Sequence, residues 1–499
     1  MENKKETGVT GKAQGGYSQS YSSIRKAAEG WPSWKKQVFN DGLATAAYSR
    51  KVAAPEVKLP EEAKTALALL EEHGKEAYVV GGCVRDSLLG KTPHDWDVCT
   101  SATPQETTEI FKKAGFTVIP TGIQHGTVTV LVNGQGIEIT TFRMDGTYSD
   151  GRHPDAVVFT TSIREDLARR DFTINAMAYS DKTGIVDPFG GKQDLEDKVI
   201  RCVGDPMERF REDPLRIMRA IRFASTLRFI LDYDTFTSAL ALKYELHSVA
   251  WERKQKELVP LLQGENVRSV LIGYKGILAA VIPEIQPCFG FQQRNPWHVY
   301  DVWEHITKAV ESASKEDWLL RLILLLHDAG KPLCYTQDEN GVGHFHGHGK
   351  ESEKIAREVL TRLRFPRDVV EKAVKIVAIH DRVIEPTPKA VRRLMNEIGE
   401  EQFFMLLRVR EADIKAQNPT LVEGRMKKEK LLWEIANNII ASNDCFTLKD
   451  LAVSGRDIVA AGTKPGPEVG RKLNALLEKV LEDPSFNTKE KLMELEKAL

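Results

Sequence analysis

The stretch GGCVRDSLLGKTPHDWDVCT, Gly81 to Thr100, brings two glycines, Arg85 and the carboxylates Asp95 and Asp97 into one short segment. On an extended strand, side chains two apart share a face with Cα atoms about 6.5–7 Å apart, so the two carboxylates converge. Left alone they repel. Together they suit Mg²⁺, a hard cation that takes oxygen ligands and shares them with substrate phosphates. Two such ions could clamp the attacking and leaving oxygens of a phosphoryl-type displacement. Gly81 and Gly82 would expose backbone N–H groups at a helix start, where a triphosphate can approach, and Arg85 adds positive charge. Glu138 is a candidate third carboxylate, because Ile137 and Ile139 in GIEITTF take the core side of a strand and send Glu138 to the other. A glycine pair alone marks a tight turn and a D-x-D pair is common in loops; their combination carries the chemistry.

A second set lies in RRDFTINAMAY (169–179) and REDPLRIMRAIRFAS (211–225). The latter predicts a helix with Pro214 in its first turn and an apolar stripe of Ile217, Ala220, Ile221 and Ala224. Arg216, Arg219 and Arg222 recur on a different face. By itself such a stripe is a solvated basic surface. Cytosine and adenine, however, both present an amino donor beside a ring-nitrogen acceptor, whereas uracil and guanine present a carbonyl beside an N–H. Asp213 and Arg216, three apart, are expected on one helical face as an acceptor–donor template for the first two bases. Arg219 and Arg222 would extend positive charge toward phosphates.

A third set, His305, the His327-Asp328 doublet and Asp413, falls on three expected helices. An isolated helical histidine is usually structural, but this mixture of imidazole and carboxylate suits a divalent Mn, Fe, Co, Ni or Zn ion.

The elements that must position these residues change along the chain. From Lys58 the pattern alternates helix, strand, glycine turn, helix and strand, then GTVTVLV and GIEITTF joined by Asn133-Gly134, a hairpin signal. After about Leu195 strands largely disappear and amphipathic helices take over. The fold class expected is α+β: a mixed α/β head with a small sheet, then an all-α body. At 499 residues, about three or four domains are expected. The divisions read here are an extension at 1–57, the head at 58–194, a helical neck for nucleotide recognition at 195–275, a histidine-bearing domain at 276–423 and a helical tail at 424–499. Pro and Gly cluster near Gly264, Gly276 and Gly424. With 41% hydrophobic and 28% charged residues and a formal net charge of −1, the chain is globular without a global basic signature, so any RNA site must be local. The N-terminus lacks an apolar core, and the run Trp318 to Leu326, broken by Arg321, is too short for a membrane span. A cytoplasmic protein without a membrane partner is expected. Six cysteines show no C-x-x-C pair and are expected as buried thiols.

GGCVRDSLLG…DWD, RRDFTINAMAY and EDPLRIMRAIRFA resemble the successive motifs of the class II tRNA nucleotidyltransferases, the CCA-adding enzymes, and of their bacterial poly(A) polymerase relatives, from about Lys58 through Leu262. The resemblance implies Mg²⁺ at Asp95 and Asp97, triphosphate contacts from Gly82 and Arg85, ribose and phosphate contacts from Arg170 with Arg169 and Asp171, and a nucleotide pocket from Asp213, Arg216, Arg219 and Arg222. HSVAWERKQKEL is similar to the fifth family motif, E-R-I-x-x-E, with Glu252, Arg253 and Glu257 matching and Lys254 standing where isoleucine is usual. RMDGTYSDGRHPD, with Asp145 and Arg152, resembles the flexible loop needed for the final adenosine. HDAGKP resembles the HD phosphohydrolase superfamily, which implies a transition-metal site and further ligand or phosphate contacts at His348 and His380. The implied activity is addition of C, C and A to tRNA from CTP and ATP, with a phosphatase or cyclic phosphodiesterase activity at the HD site. The alternatives are ATP-only extension of RNA ends, and an HD hydrolase whose head merely binds RNA.

Overall fold

The structure, a computed structural model, describes residues 56–146 and 157–499. Almost all of the expected extension, and Arg152 of the expected loop, lie outside those residues.

The head is a seven-stranded mixed sheet in the order β3-β4-β5-β2-β1-β8-β9. Its strands are β1 (Ala77–Val80), β2 (Val98–Thr100), β3 (Thr117–Gly122), β4 (Thr127–Val132), β5 (Gln135–Thr141), β8 (Ala178–Ser180) and β9 (Gly184–Val186); β6 (Arg143–Asp145) and β7 (Val157–Phe159) form a separate pair. The β4–β5 hairpin turns where the sequence predicts: Asn133 and Gly134 both have φ > 0, as the tight hairpin turn requires. Helices α1 (Glu61–Glu72) and α3 (Pro104–Lys113) pack on one face of the sheet. Thr103 and Glu106 close a reciprocal capping box at the start of α3, with Pro104 in its first turn. Under these helices Val79, Val98, Val128, Val130, Ile137 and Ile139 are buried in the main core. Ile137 and Ile139 therefore do take the core side, and Glu138 is exposed on the other face.

Between β1 and β2 runs α2 (Gly82–Leu88), entered through Gly81 at φ 83°. A side chain at Gly81 would be strained by that φ and would meet the Arg170 guanidinium at 2.8 Å.

The body is helical. Helix α4 (Leu215–Leu227) buries Ile217, Ala220, Ile221 and Ala224 as the pattern requires, and packs against α5 (Trp251–Leu262). Next come α6 (Val302–Ser312), α7 (Trp318–Leu326), α8 (His348–Arg362), α9 (Arg367–Ile379), α10 (Pro388–Ile398), α11 (Glu400–Lys415) and α12 (Pro419–Ala441). The break expected in AQNPTLVEG comes at its start, where Asn418 caps α12 and Pro419 opens it; the domain bound drawn at Gly424 falls inside α12, since one interior glycine costs a helix only about 1 kcal/mol. The C-terminal helix α13 (Pro467–Glu482) and its neighbours enclose a small separate core around Ile458, Leu476 and Val480. All six cysteines are free, and no helix of the described residues is long and apolar enough to cross a membrane.

Lys254, the departure from the motif that HSVAWERKQKEL resembles, is wholly buried in α5. Its ammonium donates to Leu246 O at 3.0 Å and lies 3.3 Å from the Trp251 ring centroid. Burial, helped by Arg362, pushes its pKa down to about 8 from 10.5. Below pH 8 the folded state therefore carries the full cost of a buried charge. As pH rises toward 10.5 the folded form sheds its proton while the unfolded chain keeps it, so stability rises. Lys254→Met should raise unfolding stability by about 2–3 kcal/mol at pH 7, with the advantage shrinking above pH 8 and gone above pH 10.5. Urea titrations of both proteins at pH 7 and pH 10 test this.

Candidate functional site

Asp95 and Asp97 lie in the extended segment that leads into β2 rather than in the strand itself. Asp97 nevertheless keeps strand register, because its carbonyl accepts the Val80 N–H at 3.0 Å. Since β2 runs parallel to β5 with Val98 opposite Ile139, Asp97 stands beside Glu138 one residue earlier on both strands, and adjacent strands send such side chains to the same face. Among the described residues, no ion pair or side-chain hydrogen bond satisfies Asp95, Asp97 or Glu138. Desolvation, Glu138 and Asp95 together outweigh nearby Arg170 and hold the Asp97 carboxyl above its usual range, although Asp97 stays accessible to solvent. Three carboxylates gathered on one solvent-open side fit a cation brought in with substrate. They are less closed than a finished cage: their oxygens are not among the groups of three or more ligands within 4.8 Å.

The cationic side chains around them are already engaged. Arg85 donates to Asn175 Oδ1 at 2.6 Å and pairs with Asp86. Arg169 pairs with Asp166 at 2.8 Å and with Asp145 at 3.6 Å, which ties the start of the expected loop to the head. Arg170 lies 3.7 Å from Asp166. Asp171 is buried and accepts from the Arg219 Nε at 2.9 Å, from Asn175 and from the Phe172 N–H. Burial disfavours its charge, but Arg219 and these hydrogen bonds hold its pKa at about 2. Arg222 pairs with Glu257 of α5, and Phe223 lies beneath Arg85, Arg219 and Arg222 at 5.0, 5.7 and 3.9 Å from its ring centroid.

The expected Asp213–Arg216 template takes a different form. Asp213 is extended and precedes α4, where it accepts the Leu215 N–H, because Pro214 displaces the residue before it from helical geometry. Its carboxylate pairs with Arg253 of α5 at 2.7 Å, while Arg216 turns to Glu212 at 2.6 Å. The sequence contained Arg253 but not its partner, which only the packing of α5 on α4 reveals.

The third set closes tightly. His305 lies on α6, Asp413 on α11, and His327 and Asp328 just past the end of α7 rather than within it. His348 opens α8 and His380 follows α9. Each of these four histidines holds its Nδ1 against a backbone carbonyl, Ala416, Leu324, Phe345 and Val377 in turn, at 2.6–3.2 Å. That contact makes Nδ1 the N–H donor and turns every Nε2 inward, the atom a metal would take. Asp328 divides the cluster. Its Oδ2 lies 3.1 Å from His305 and 3.3 Å from His327, and its Oδ1 lies 3.2 Å from His348 and 3.5 Å from His380. Two ligand groups result, His305-His327-Asp328-Asp413 and Asp328-His348-His380.

The Nε2 atoms of His305 and His327 and both oxygens of Asp328 are buried without a well-formed hydrogen bond, so protons alone do not satisfy them. Burial opposes ionisation there, yet Asp328 and Asp413 raise His327 to about 10, and His327 with Lys331 holds Asp328 well below the carboxylate range. The donors fit a divalent transition metal. Sequence reading missed Lys331, 2.7 Å from Asp328, although it lies in HDAGKP. It also missed Gln417, which donates to both Asp413 oxygens from the next turn, and His298, whose ring meets His305 edge-on at 4.7 Å.

Residues 77–201 match the family described as the poly A polymerase head domain, and residues 345–495 match tRNA nucleotidyltransferase domain 2. The CCA-adding enzyme of Levilactobacillus brevis is 34% identical over 87% of this chain and 98% of its own length. The chain belongs to the CCA-adding enzyme family. That of Geobacillus kaustophilus is 33% identical over 87% of this chain and 95% of its own. The solved CCA-adding enzyme of Bacillus stearothermophilus in complex with CTP superposes with a TM-score of 0.65 at 29% identity, covering 88% of this chain and 96% of that one. Like the other CCA-adding enzymes, this chain is a nucleotidyltransferase.

Asp171→Asn removes the carboxylate that joins the head to α4. It should cost about 2 kcal/mol of unfolding stability at neutral pH. Asp171 contributes above its unfolded pKa of 3.8 and loses that contribution as pH falls through about 2, so the gap between the two proteins should narrow below pH 3.8 in denaturant titrations.

Proposed function

We propose that the chain extends tRNA 3′ ends with C, C and A from CTP and ATP. The observation that carries this reading is the Asp95, Asp97 and Glu138 group, left without an internal counter-charge beside the Gly81 turn, in a chain of the CCA-adding family. The terminal 3′-hydroxyl oxygen attacks the α-phosphorus, the bond from that phosphorus to the bridging oxygen breaks, and pyrophosphate leaves. Mg²⁺, when held by Asp95 and Asp97 with Glu138 as a third carboxylate, supplies charge neutralisation for the triphosphate and activates the hydroxyl. The chain's own part is to gather that charge, to leave room for phosphates at Gly81 and Gly82, and to present Arg85, Arg169 and Arg170 toward phosphate and ribose. Asp213, with Arg253 behind it, offers the acceptor that the amino groups of cytosine and adenine need; Arg216, released from Glu212, offers the donor. Arg219 and Arg222 position these groups through Asp171 and Glu257. Asp145 and Arg152 belong to the loop assigned to the final adenosine, and the helical body grips tRNA by shape and phosphates.

The test is incorporation of labelled nucleotides into tRNA lacking its terminus, with the four triphosphates offered singly and in pairs. Ordered use of CTP and then ATP is expected; extension of assorted RNA ends from ATP alone would replace this reading with poly(A) synthesis. Asp97→Asn should lower kcat by about 10³-fold or more, since electrostatic clamping carries most phosphoryl-transfer catalysis. Asp328→Ala should leave CCA addition unchanged.

A second reading is favoured by the inward Nε2 atoms around Asp328. We infer that His305, His327, Asp328 and Asp413, with His348 and His380 on the other side of Asp328, hold divalent transition metal and hydrolyse phosphoesters at RNA ends, with Lys331 as a phosphate contact. The bound metal would supply an activated water. Elemental analysis after dialysis should find Mn²⁺ or Ni²⁺ retained by the protein and lost on Asp328→Ala, with His348→Ala losing part of it.

A further inference from the structure

The cluster opens into a cavity of about 580 Å³, within the roughly 300–1,000 Å³ range of small-molecule sites. Asp328, Asp413, His348 and His380 line it, and so do three residues that the chemistry above does not use: Trp297, Arg425 and Lys428. Trp297 is a large ring 51% exposed, which is unusual for tryptophan unless something covers it. Its backbone is held in place. The Trp297 backbone N–H donates to Asn295 Oδ1 at 3.1 Å, the Trp297 carbonyl accepts the Asn418 N–H at 2.8 Å, and the Asn418 side chain donates to Pro296 O at 3.0 Å. The next residue, His298, is the one that touches His305. The indole thus projects, exposed, from an anchored backbone one residue from His298.

Helix α12 supplies the rest. Arg425 lies over the Trp297 ring at 5.8 Å and donates to Gln417, which in turn donates to Asp413. The aromatic surface and a carboxylate of the cluster are therefore joined through two side chains. Lys428, one turn on and on the same side of α12, has no ion pair or side-chain hydrogen bond among the described residues. The neighbouring acid, Glu429, is taken by Arg410 at 2.7 Å and leaves that ammonium uncompensated. An exposed indole, a guanidinium on it and a free ammonium beside phosphoester-binding chemistry match the three parts of a nucleotide: a flat base, a ribose phosphate edge and a second phosphate.

We infer that Trp297, Arg425 and Lys428 form a nucleoside shelf at the His/Asp cluster, so that this site takes nucleoside phosphates, with the base on Trp297, in preference to phosphoesters that lack a base. The inference rests on the phosphoesterase reading of the cluster. An RNA end would enter with its terminal nucleoside on the shelf and its 2′ or 3′ phosphate at Asp328, and Lys428 would meet the phosphate on the 5′ side.

The experiment is calorimetric binding of adenosine 2′-phosphate and of glycerol 2-phosphate, its base-free counterpart, to the full-length protein supplied with Mn²⁺. Hydrolysis of adenosine 2′,3′-cyclic phosphate and glycerol 1,2-cyclic phosphate is measured in parallel. The native protein should bind the nucleotide at least tenfold more tightly. Trp297→Ala should lose roughly ten- to hundredfold for the nucleotide and nothing for glycerol phosphate, with an unchanged melting temperature, and Trp297→Phe should recover most of the loss. Equal affinity for both ligands, or a Trp297→Ala protein indistinguishable from the native one, overturns the shelf and leaves the phosphoesterase reading standing, provided that Asp328→Ala abolishes binding. Failure of the native protein to bind or hydrolyse any of the four compounds overturns both.

Discussion

Convergence of charged groups is the constraint on which this molecule depends. Many part-buried charges meet an opposite one: Arg222 with Glu257, Arg362 with Glu284, Arg410 with Glu429. Two sets are gathered differently. Asp95, Asp97 and Glu138 meet beside a strand end with no ion pair among the described residues, and four imidazoles aim their Nε2 atoms at Asp328 and Asp413, with Lys331 against Asp328. Assembling such groups costs folding energy, and it persists because the strands and helices around them are held by their own packing.

The two centres differ in how they carry that cost. The carboxylates at β2 and β5 remain open to solvent, so water screens them. The His/Asp cluster is buried and shared among five helices, and the backbone carbonyls that orient its imidazoles leave them no alternative tautomer.

A common frame connects the centres. Helix α5, whose Arg253 and Glu257 pair with Asp213 and Arg222, packs against α7, which delivers His327 and Asp328. Arg321 of α7 is buried and donates to the carbonyls of Leu262 and Gly264 at the end of α5, and of Ala313 before α7. A buried guanidinium satisfied by several carbonyls fixes the angle between the two helices more firmly than apolar contact would. The neck is therefore structural support for both chemistries.

Periodicity and turn chemistry carried much of the fold. The Asn133-Gly134 hairpin, the alternation that exposes Glu138 between Ile137 and Ile139, and the buried stripe of α4 follow from local rules that tertiary contacts did not override. The break in AQNPTLVEG followed too, but at Asn418 and Pro419 rather than at Gly424, because one glycine interrupts a helix less than those two residues start one. Residue type and spacing alone marked Asp95 and Asp97, the arginines of α4, and the histidines with Asp328 and Asp413. Only the tertiary structure decided that Arg253 and not Arg216 pairs with Asp213, that Asp328 faces two ligand groups, and that Trp297 stands by the second centre. Each of those depends on segments far apart in the chain meeting at a few ångströms, and a one-dimensional pattern holds no record of that distance.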